Sequence, residues 1–169
     1  MRYIWDQFHV YRSLSGFLTR LVMPGLAHRL RMWDLSAAAR VDYFVANSSF
    51  VAARIHTYYR RKSTVIFPPV ETDDFLPLDK HEDFYLLAGE LVPYKRADLA
   101  IEAFYASGRK LVVVGAGEMR KALEKAAGPN IQFVGRIPFK DLKARFASCK
   151  ALVFPGEEDF GIVPVEVMA

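Results

Sequence analysis

From residue 84 onward, short apolar runs alternate with longer amphipathic stretches, and this rhythm restricts the fold more than any other feature of the chain. The runs at 84–88, 110–114, 131–134 and 151–154 are nearly unbroken in apolar residues. A strand of that kind, with no polar alternation, is covered on both faces, as in a parallel sheet flanked by helices. The stretches between the runs, 96–107, 117–126 and 139–148, have the length and pattern of helices. Such alternation predicts an α/β fold with a parallel sheet. Ligands of these sheets bind beyond the carboxyl ends of the strands, so the loops at that edge hold the candidate groups.

The residues before this region are less regular. Residues 1–40 read as mainly helical with a break at Pro24-Gly25, and 26–41 places Leu30, Trp33 and Ala37 or Ala38 on related faces. A short strand at 43–46 ends at Asn47-Ser48, either of which can cap a helix over 50–59. A second strand, 64–67, stops at Pro68-Pro69. The acidic stretch 71–82, with Pro77 inside it, reads as a linker.

Composition excludes several classes. With 52% hydrophobic and 25% charged residues the chain is globular, and its 169 residues suffice for one domain or for parts of two. The single cysteine, Cys149, permits no internal disulfide and precedes an apolar run, which suits a buried, inert thiol. No apolar run approaches the ~20 residues of a membrane span, and Met1 is not followed by a signal-peptide pattern. Residues 1–40 hold six arginines against two aspartates, an excess equal to the whole formal charge of +4, interleaved with Trp5, Phe8, Phe17 and Leu21. Such a surface can sit on anionic lipid headgroups, though a solvated face beside an apolar core is the simpler reading. No compact Lys/Arg run points to nucleic acid.

The loops after the apolar runs carry the chemistry. Lys95 stands near a helix start, where a cation opposes the helix dipole unless an anion shares the site. Gly115-Ala116-Gly117 is a weak signal, and Arg120 in place of a third glycine argues against a dinucleotide fingerprint. The final stretch PGEEDFGIVPVEVMA runs from a strand through a Gly-containing loop into a helix for which Pro164 is a suitable first residue. That start would put Glu166 at the third helical position, with Glu158 in the loop before it. A strand, such a loop and a helix N-terminus converge on an anion site. Carboxylates beside it would accept from hydroxyls, which suits a ligand with central phosphates and sugars at both ends. A plain helix cap and a solvated acidic loop account for the same residues. His9 and His28 lack a partner carboxylate at a readable spacing and read as structural or surface residues. No metal cluster and no D-x-D pair is present.

Seven residues separate Glu158 from Glu166 in EDFGIVPVE, and this string resembles the E-x7-E element of retaining GT-B glycosyltransferases of family 4. The resemblance implies a GT-B fold of two Rossmann-like parallel-sheet domains. Residues 1–70 would be part of the acceptor-side domain, 71–82 an interdomain linker, and 83–169 the nucleotide-sugar-binding domain. It also implies that Glu158 meets the donor sugar and Glu166 the ribose, with Phe160 and the amides near Gly161 and Ile162 at the donor. The segment GELVPYK is similar to the family's diphosphate-binding element, with Lys95 in the place of its lysine. Glu90 stands where the family has arginine, so either Arg96 compensates or diphosphate binding is weakened. Gly115 would support the donor pocket and Ile137 would pack on the nucleobase.

The strings RYIWDQFHVY, VDYFVANSSFVAARIHTYY and STVIFPPVETDDF resemble bacterial mannosyltransferase-like members of the family. The expected activity is transfer of a hexose, with GDP-mannose the favoured donor, to a glycan or lipid-linked acceptor without a further cofactor or metal. The expected setting is cytoplasmic, at or near the inner face of the membrane. The chain would cover only the middle of the family's length. Two other readings share the fold, a non-catalytic sugar-nucleotide-binding fragment and a GT-B sugar-nucleotide epimerase.

Overall fold

The computed structural model describes residues 2–169 and forms two compact units, Met1–Pro68 and Pro69–Ala169. In the first unit, α1 (Phe8–Leu14) and α2 (Phe17–Ala39) precede β1 (Phe44–Ala46), α3 (Ser49–Tyr59) and β2 (Ser63–Val65). The two strands pair in parallel, Val45 opposite Thr64, with α3 as the crossover. Ser48 is the residue of the Asn-Ser pair that caps α3, its hydroxyl accepting from the Val51 amide at 3.1 Å.

Two expectations for this unit are corrected. Pro24-Gly25 does not break the helix, because α2 runs through it for 23 residues. Proline removes one hydrogen bond, the one its amide would have donated to Arg20, and the turns on either side remain intact. The actual break is at Ser15-Gly16, between α1 and α2. Of the residues expected on related faces of this stretch, Ala38 is buried, beside Ala27 and Asp34, while Trp33 is exposed. Asp34 takes the inner position because Trp5 Nε1 and the Tyr59 hydroxyl both donate to its Oδ2, each at 2.7 Å.

The second unit contains β3 (Tyr85–Ala88), a 3-10 turn (Pro93–Lys95), α4 (Ala97–Ser107), β4 (Leu111–Val114) and α5 (Arg120–Ala126). It continues with β5 (Ile131–Gly135), α6 (Phe139–Ser148), β6 (Ala151–Leu152) and α7 (Ile162–Met168). Its four strands pair only in parallel, in the order β5-β4-β3-β6. Strand pleating sorts the apolar runs between two faces. Leu87, Leu111 and Val113 pack with Ala100 and Ile101 of α4 and Leu123 of α5. Leu86, Val112 and Val114 pack on the other side with Phe146 of α6 and Cys149. This double covering explains the unbroken apolar pattern of β4.

Residues 71–82 form no helix or strand and belong to the second compact unit, whose apolar cluster Phe75 joins beside Phe139 and Phe146. The Cys149 thiol is buried, donates to the Phe146 carbonyl at 3.4 Å and is pushed up in pKa by burial.

The last helix starts earlier than expected. Gly161, at φ 82°, precedes it, Ile162 is its first residue, Pro164 the third and Glu166 the fifth. Proline is accommodated anywhere in the first turn, since amides there have no partner within the helix. Glu166 therefore stands beyond the positions from which a side chain caps or offsets the N-terminal dipole.

Candidate functional site

The order β5-β4-β3-β6 contains one reversal. Successive connections step from β3 to β4 to β5, and the next returns to the far side of β3 to place β6. The loops after β3 and β6 therefore leave the sheet in opposite directions and open a crevice between them, the position at which ligands of such sheets bind. Ala88, Gly89, Glu90 and Lys95 line this crevice from the β3 side, and Phe154, Gly156 and Glu158 from the β6 side.

The crevice brings together Lys95 and Glu158, the residues expected at the donor diphosphate and the donor sugar. Lys95 Nζ lies 3.1 Å from Glu158 Oε1, with both side chains about one quarter exposed. Two close backbone approaches set this geometry. A Cβ at Gly156 would come within 2.7 Å of Lys95 Cα and 2.8 Å of its carbonyl oxygen, so only glycine lets the β6 loop lie against the lysine's backbone. At Gly115, φ 136° and an approach that would put a Cβ 1.8 Å from the Gly89 oxygen make the same demand between the β4 and β3 loops. Leu91, fully buried, ties these two loops further. Its amide donates to the Ala116 carbonyl at 3.0 Å and its carbonyl accepts from Met119 at 3.1 Å.

The other expected site residues fall in different places. Arg96 adopts a left-handed backbone (φ 52°) at the start of α4, and its exposed guanidinium pairs with Asp98 at 3.0 Å. Its charge is thus committed to a carboxylate two residues away, while Glu90 lines the crevice. Ile137 packs on the cluster of Val112, Val114 and Phe146, as a helix-entry residue does. Phe160 is half-buried, and Ile162 is exposed at the start of α7; a Cβ at Gly161 would meet Pro164 and Glu158 at ordinary contact distance. Pro164 leaves the amides of Ile162 and Val163 as the first donors of α7 without an intrahelical acceptor. Glu166 lines a separate cavity of ≈ 320 Å³, with His81, Lys143 and Phe75.

Two positions, one shaping the crevice and one holding Arg96, escaped the sequence reading. Gly156 stood out only as a turn residue, although its neighbour across space is Lys95. Asp98, two residues after Arg96, gave a local signal, since an acidic residue in the first turn of a helix also attracts a nearby cation. Among the described residues no group of three or more His, Cys, Asp or Glu could hold a metal ion, and no helix is long and apolar enough to cross a membrane.

Comparison with known proteins places this chain in a family. Residues 71–169 match the family described as glycosyl transferases group 1. The chain is 27% identical over 138 residues to the O-antigen chain mannosyltransferase RfbU of Salmonella typhimurium, covering 76% of this chain and 38% of RfbU. It is 26% identical over 166 residues to the D-rhamnosyltransferase WbpZ of Pseudomonas aeruginosa, covering 88% and 42%. The O-antigen chain mannosyltransferase C of Escherichia coli is 28% identical over 146 residues, covering 76% and 39%. The chain thus spans about two fifths of the length of these relatives.

Among solved structures, TarM of S. aureus superposes with a TM-score of 0.68 at 17% identity, over 81% of this chain and 30% of TarM. AviGT4, a glycosyltransferase of avilamycin A biosynthesis, superposes with a TM-score of 0.54 at 22% identity, over 64% and 33%. These neighbours show the α/β GT-B fold. With its whole second unit except the first two residues matched, the chain belongs to the group 1 glycosyl transferases.

Proposed function

We propose that the crevice between β3 and β6 binds the diphosphate of a nucleotide-activated hexose, and that the protein transfers the hexose to a glycan or lipid-linked acceptor with retention, as in family 4. The observation that carries this reading is the meeting of Lys95 and Glu158, 3.1 Å apart, at the reversal point of a parallel sheet. Lys95 would exchange its carboxylate partner for the donor phosphates and offset charge on the leaving group. Such a contact speeds transfer because it strengthens as the bond to the sugar breaks. Glu158, released from the lysine, would accept hydrogen bonds from hexose hydroxyls, and the amides of Ile162 and Val163 would add donors at the diphosphate.

In this reading Glu166 meets the ribose, Ile137 and Phe160 border the base and donor, and Gly115 keeps the β4 loop clear of the β3 loop. Residues 1–70 would belong to the acceptor side, and residues 1–40 would lie nearest a membrane on its cytoplasmic face. Two relatives carry mannosyltransferase in their names, which supports a mannosyl donor, GDP-mannose first. A second reading is favoured by one observation. Glu90 lines the crevice while Arg96 is turned to Asp98, so phosphate would meet one cation and a nearby carboxylate. Sugar-nucleotide binding without transfer follows if that repulsion dominates.

Calorimetry with GDP, UDP, ADP and their mannose or glucose conjugates tests the donor site. One nucleotide series should bind, and Lys95→Ala should weaken it about tenfold or more, the scale of a lost charge-assisted hydrogen bond. Gly156→Ala should weaken it by moving the β6 loop off Lys95, and Glu90→Arg should strengthen it. Equal affinity of wild type and Lys95→Ala would reject the site.

A further inference from the structure

At the amino edge of the second unit's sheet, where β3, β4 and β6 begin, lies a groove of ≈ 590 Å³. Asp83, Tyr85, Gly108, Arg109, Lys110 and Lys150 line it. Parallel pairing gathers these residues from distant parts of the chain. Tyr85 stands opposite Leu111 on one side and Ala151 on the other, so Lys110 and Lys150, each one residue earlier, flank the start of β3. The Tyr85 amide donates to the Lys110 carbonyl and the Lys150 amide to the Phe84 carbonyl, each at 2.9 Å. Gly108 ends α4 at φ 67°, and Asn130 Nδ2 steadies the loop by donating to the Arg109 carbonyl at 2.7 Å. We propose that this groove binds a soluble phosphorylated ligand carrying two or more negative charges, of which pyrophosphate is the simplest. The proposal is independent of the donor crevice, whose residues stand at the carboxyl edge of the same sheet.

Charge and shape select that ligand. Arg109, Lys110 and Lys150 face a single carboxylate, Asp83. Asp83 pairs with Lys150, but its side chain is 91% exposed, and an ion pair so open to water is worth little. Among the described residues neither Arg109 nor Lys110 pairs with a carboxylate. Arg109 lies over the Tyr85 ring, 5.9 Å from its centre, which holds the guanidinium at the groove wall. The charges sense one another, since Asp83 raises the pKa of the Lys150 ammonium and Arg109 opposes that rise. Cations in excess repel one another, and a multiply charged anion turns that repulsion into attraction. Phosphate oxygens suit the set, because a guanidinium donates through paired N–H groups and each ammonium adds a point charge. A Cβ at Gly108 would meet nothing within 4 Å, so the loop leaves room beside these charges. Cations grouped around the start of one strand fit a compact anion better than an extended acidic peptide.

Amide chemical shifts of the full chain, titrated with pyrophosphate at low ionic strength, test this. Tyr85 and Lys150 should shift, and should still do so in Lys95→Ala, which removes the cation of the donor crevice. Arg109→Gln with Lys110→Gln should weaken the binding seen at these amides about tenfold or more, the scale of a lost charge-assisted hydrogen bond. Lys121→Gln with Lys125→Gln removes the same charge from exposed positions of α5 and should leave it unchanged. Asp83→Asn should strengthen binding by removing the competing carboxylate. All these positions are exposed, so circular dichroism should show the variants folded. Shifts confined to the crevice, or equal weakening by the two lysine-containing double variants, overturn the proposal. A glutamate-rich peptide that binds as tightly as pyrophosphate would overturn it in favour of an acidic protein partner, and a preference for anionic vesicles in favour of lipid phosphate. Crevice shifts unaltered by Lys95→Ala would reject the donor site and leave this groove standing.

Discussion

The first unit buries Ile4, Phe8 and Ile55 together with three alanines, whereas the second buries Leu86, Leu91, Ile101, Leu111 and Val113 almost completely. What holds the first unit is more polar. Asp34 accepts from Trp5 and Tyr59, Arg54 pairs with Asp6 at 2.6 Å, Tyr58 donates to Asp6, and Arg31 lies over Trp5 and Phe8. The difference is one of directionality. Apolar burial has no preferred angle and scales with area, so many side chains share the second unit's stability. Hydrogen bonds and ion pairs fail when either partner is lost, so the first unit depends on a few named groups. It also leaves Phe17, Leu18, Tyr43 and Phe67 exposed, whereas no large apolar residue of the second unit's strands is exposed.

Both tryptophans, Trp5 and Trp33, lie in the first unit, so their emission follows that unit while far-ultraviolet circular dichroism follows both. The largest expected effect is that of Leu86→Ala, which leaves a cavity between the sheet and α6 and should cost about 2–5 kcal/mol. In urea the dichroism transition should move down and the tryptophan transition should hold. A tryptophan transition that moves equally would mean the units unfold together, and the contrast would fail.

Asp34→Ala should do the reverse. It leaves two part-buried donors without their acceptor, at about 1–3 kcal/mol each, and should lower the tryptophan transition together with the first unit's share of the dichroism, leaving the second unit's share in place. The smallest effect is a pH slope. Burial first, and then the hydrogen bond to Asp34, raise the Tyr59 hydroxyl from 10.0 to about 12. The stabilisation is complete below the ordinary value and is lost as pH rises through about 12, because the unfolded chain ionises first. The first unit's tryptophan transition should therefore weaken between these pH values. Tyr58, raised by its hydrogen bond to Asp6, adds to the same slope, so Tyr59→Phe should flatten it in part.

Much of the second unit could be read from local pattern. The four apolar runs became its strands, and α6 spans the expected 139–148, because an enclosed strand and an amphipathic helix each impose a period on their own residues. Boundaries shifted where geometry beyond the period decided them. The helix expected from 117 begins at Arg120, since Gly117 is held against the Leu91 backbone, where a Cβ would come within 2.3 Å of the Leu91 oxygen. Pro24 misled for a related reason. Its missing donor is a local fact, but the continuity of α2 depends on the turns around it. Lys95 and Glu158 were legible as candidates one by one, through a cation near a helix start and a carboxylate after a strand, but not their meeting.

The chain's own sequence determined the class of sheet, a cap at Asn47 or Ser48, the buried thiol of Cys149 and the loops that bear the candidate site. Each follows from the period, size or hydrogen-bonding capacity of neighbouring residues. Only the tertiary structure decided that β6 joins β3 on the side away from β4, which is what creates the crevice and sets Glu158 against Lys95. Tertiary structure also turned Arg96 to Asp98, sent Glu166 to a different cavity and put Asp34 inside α2's packed face. Strand order and side-chain partners are settled by contacts between distant residues, and local periodicity carries no term for them.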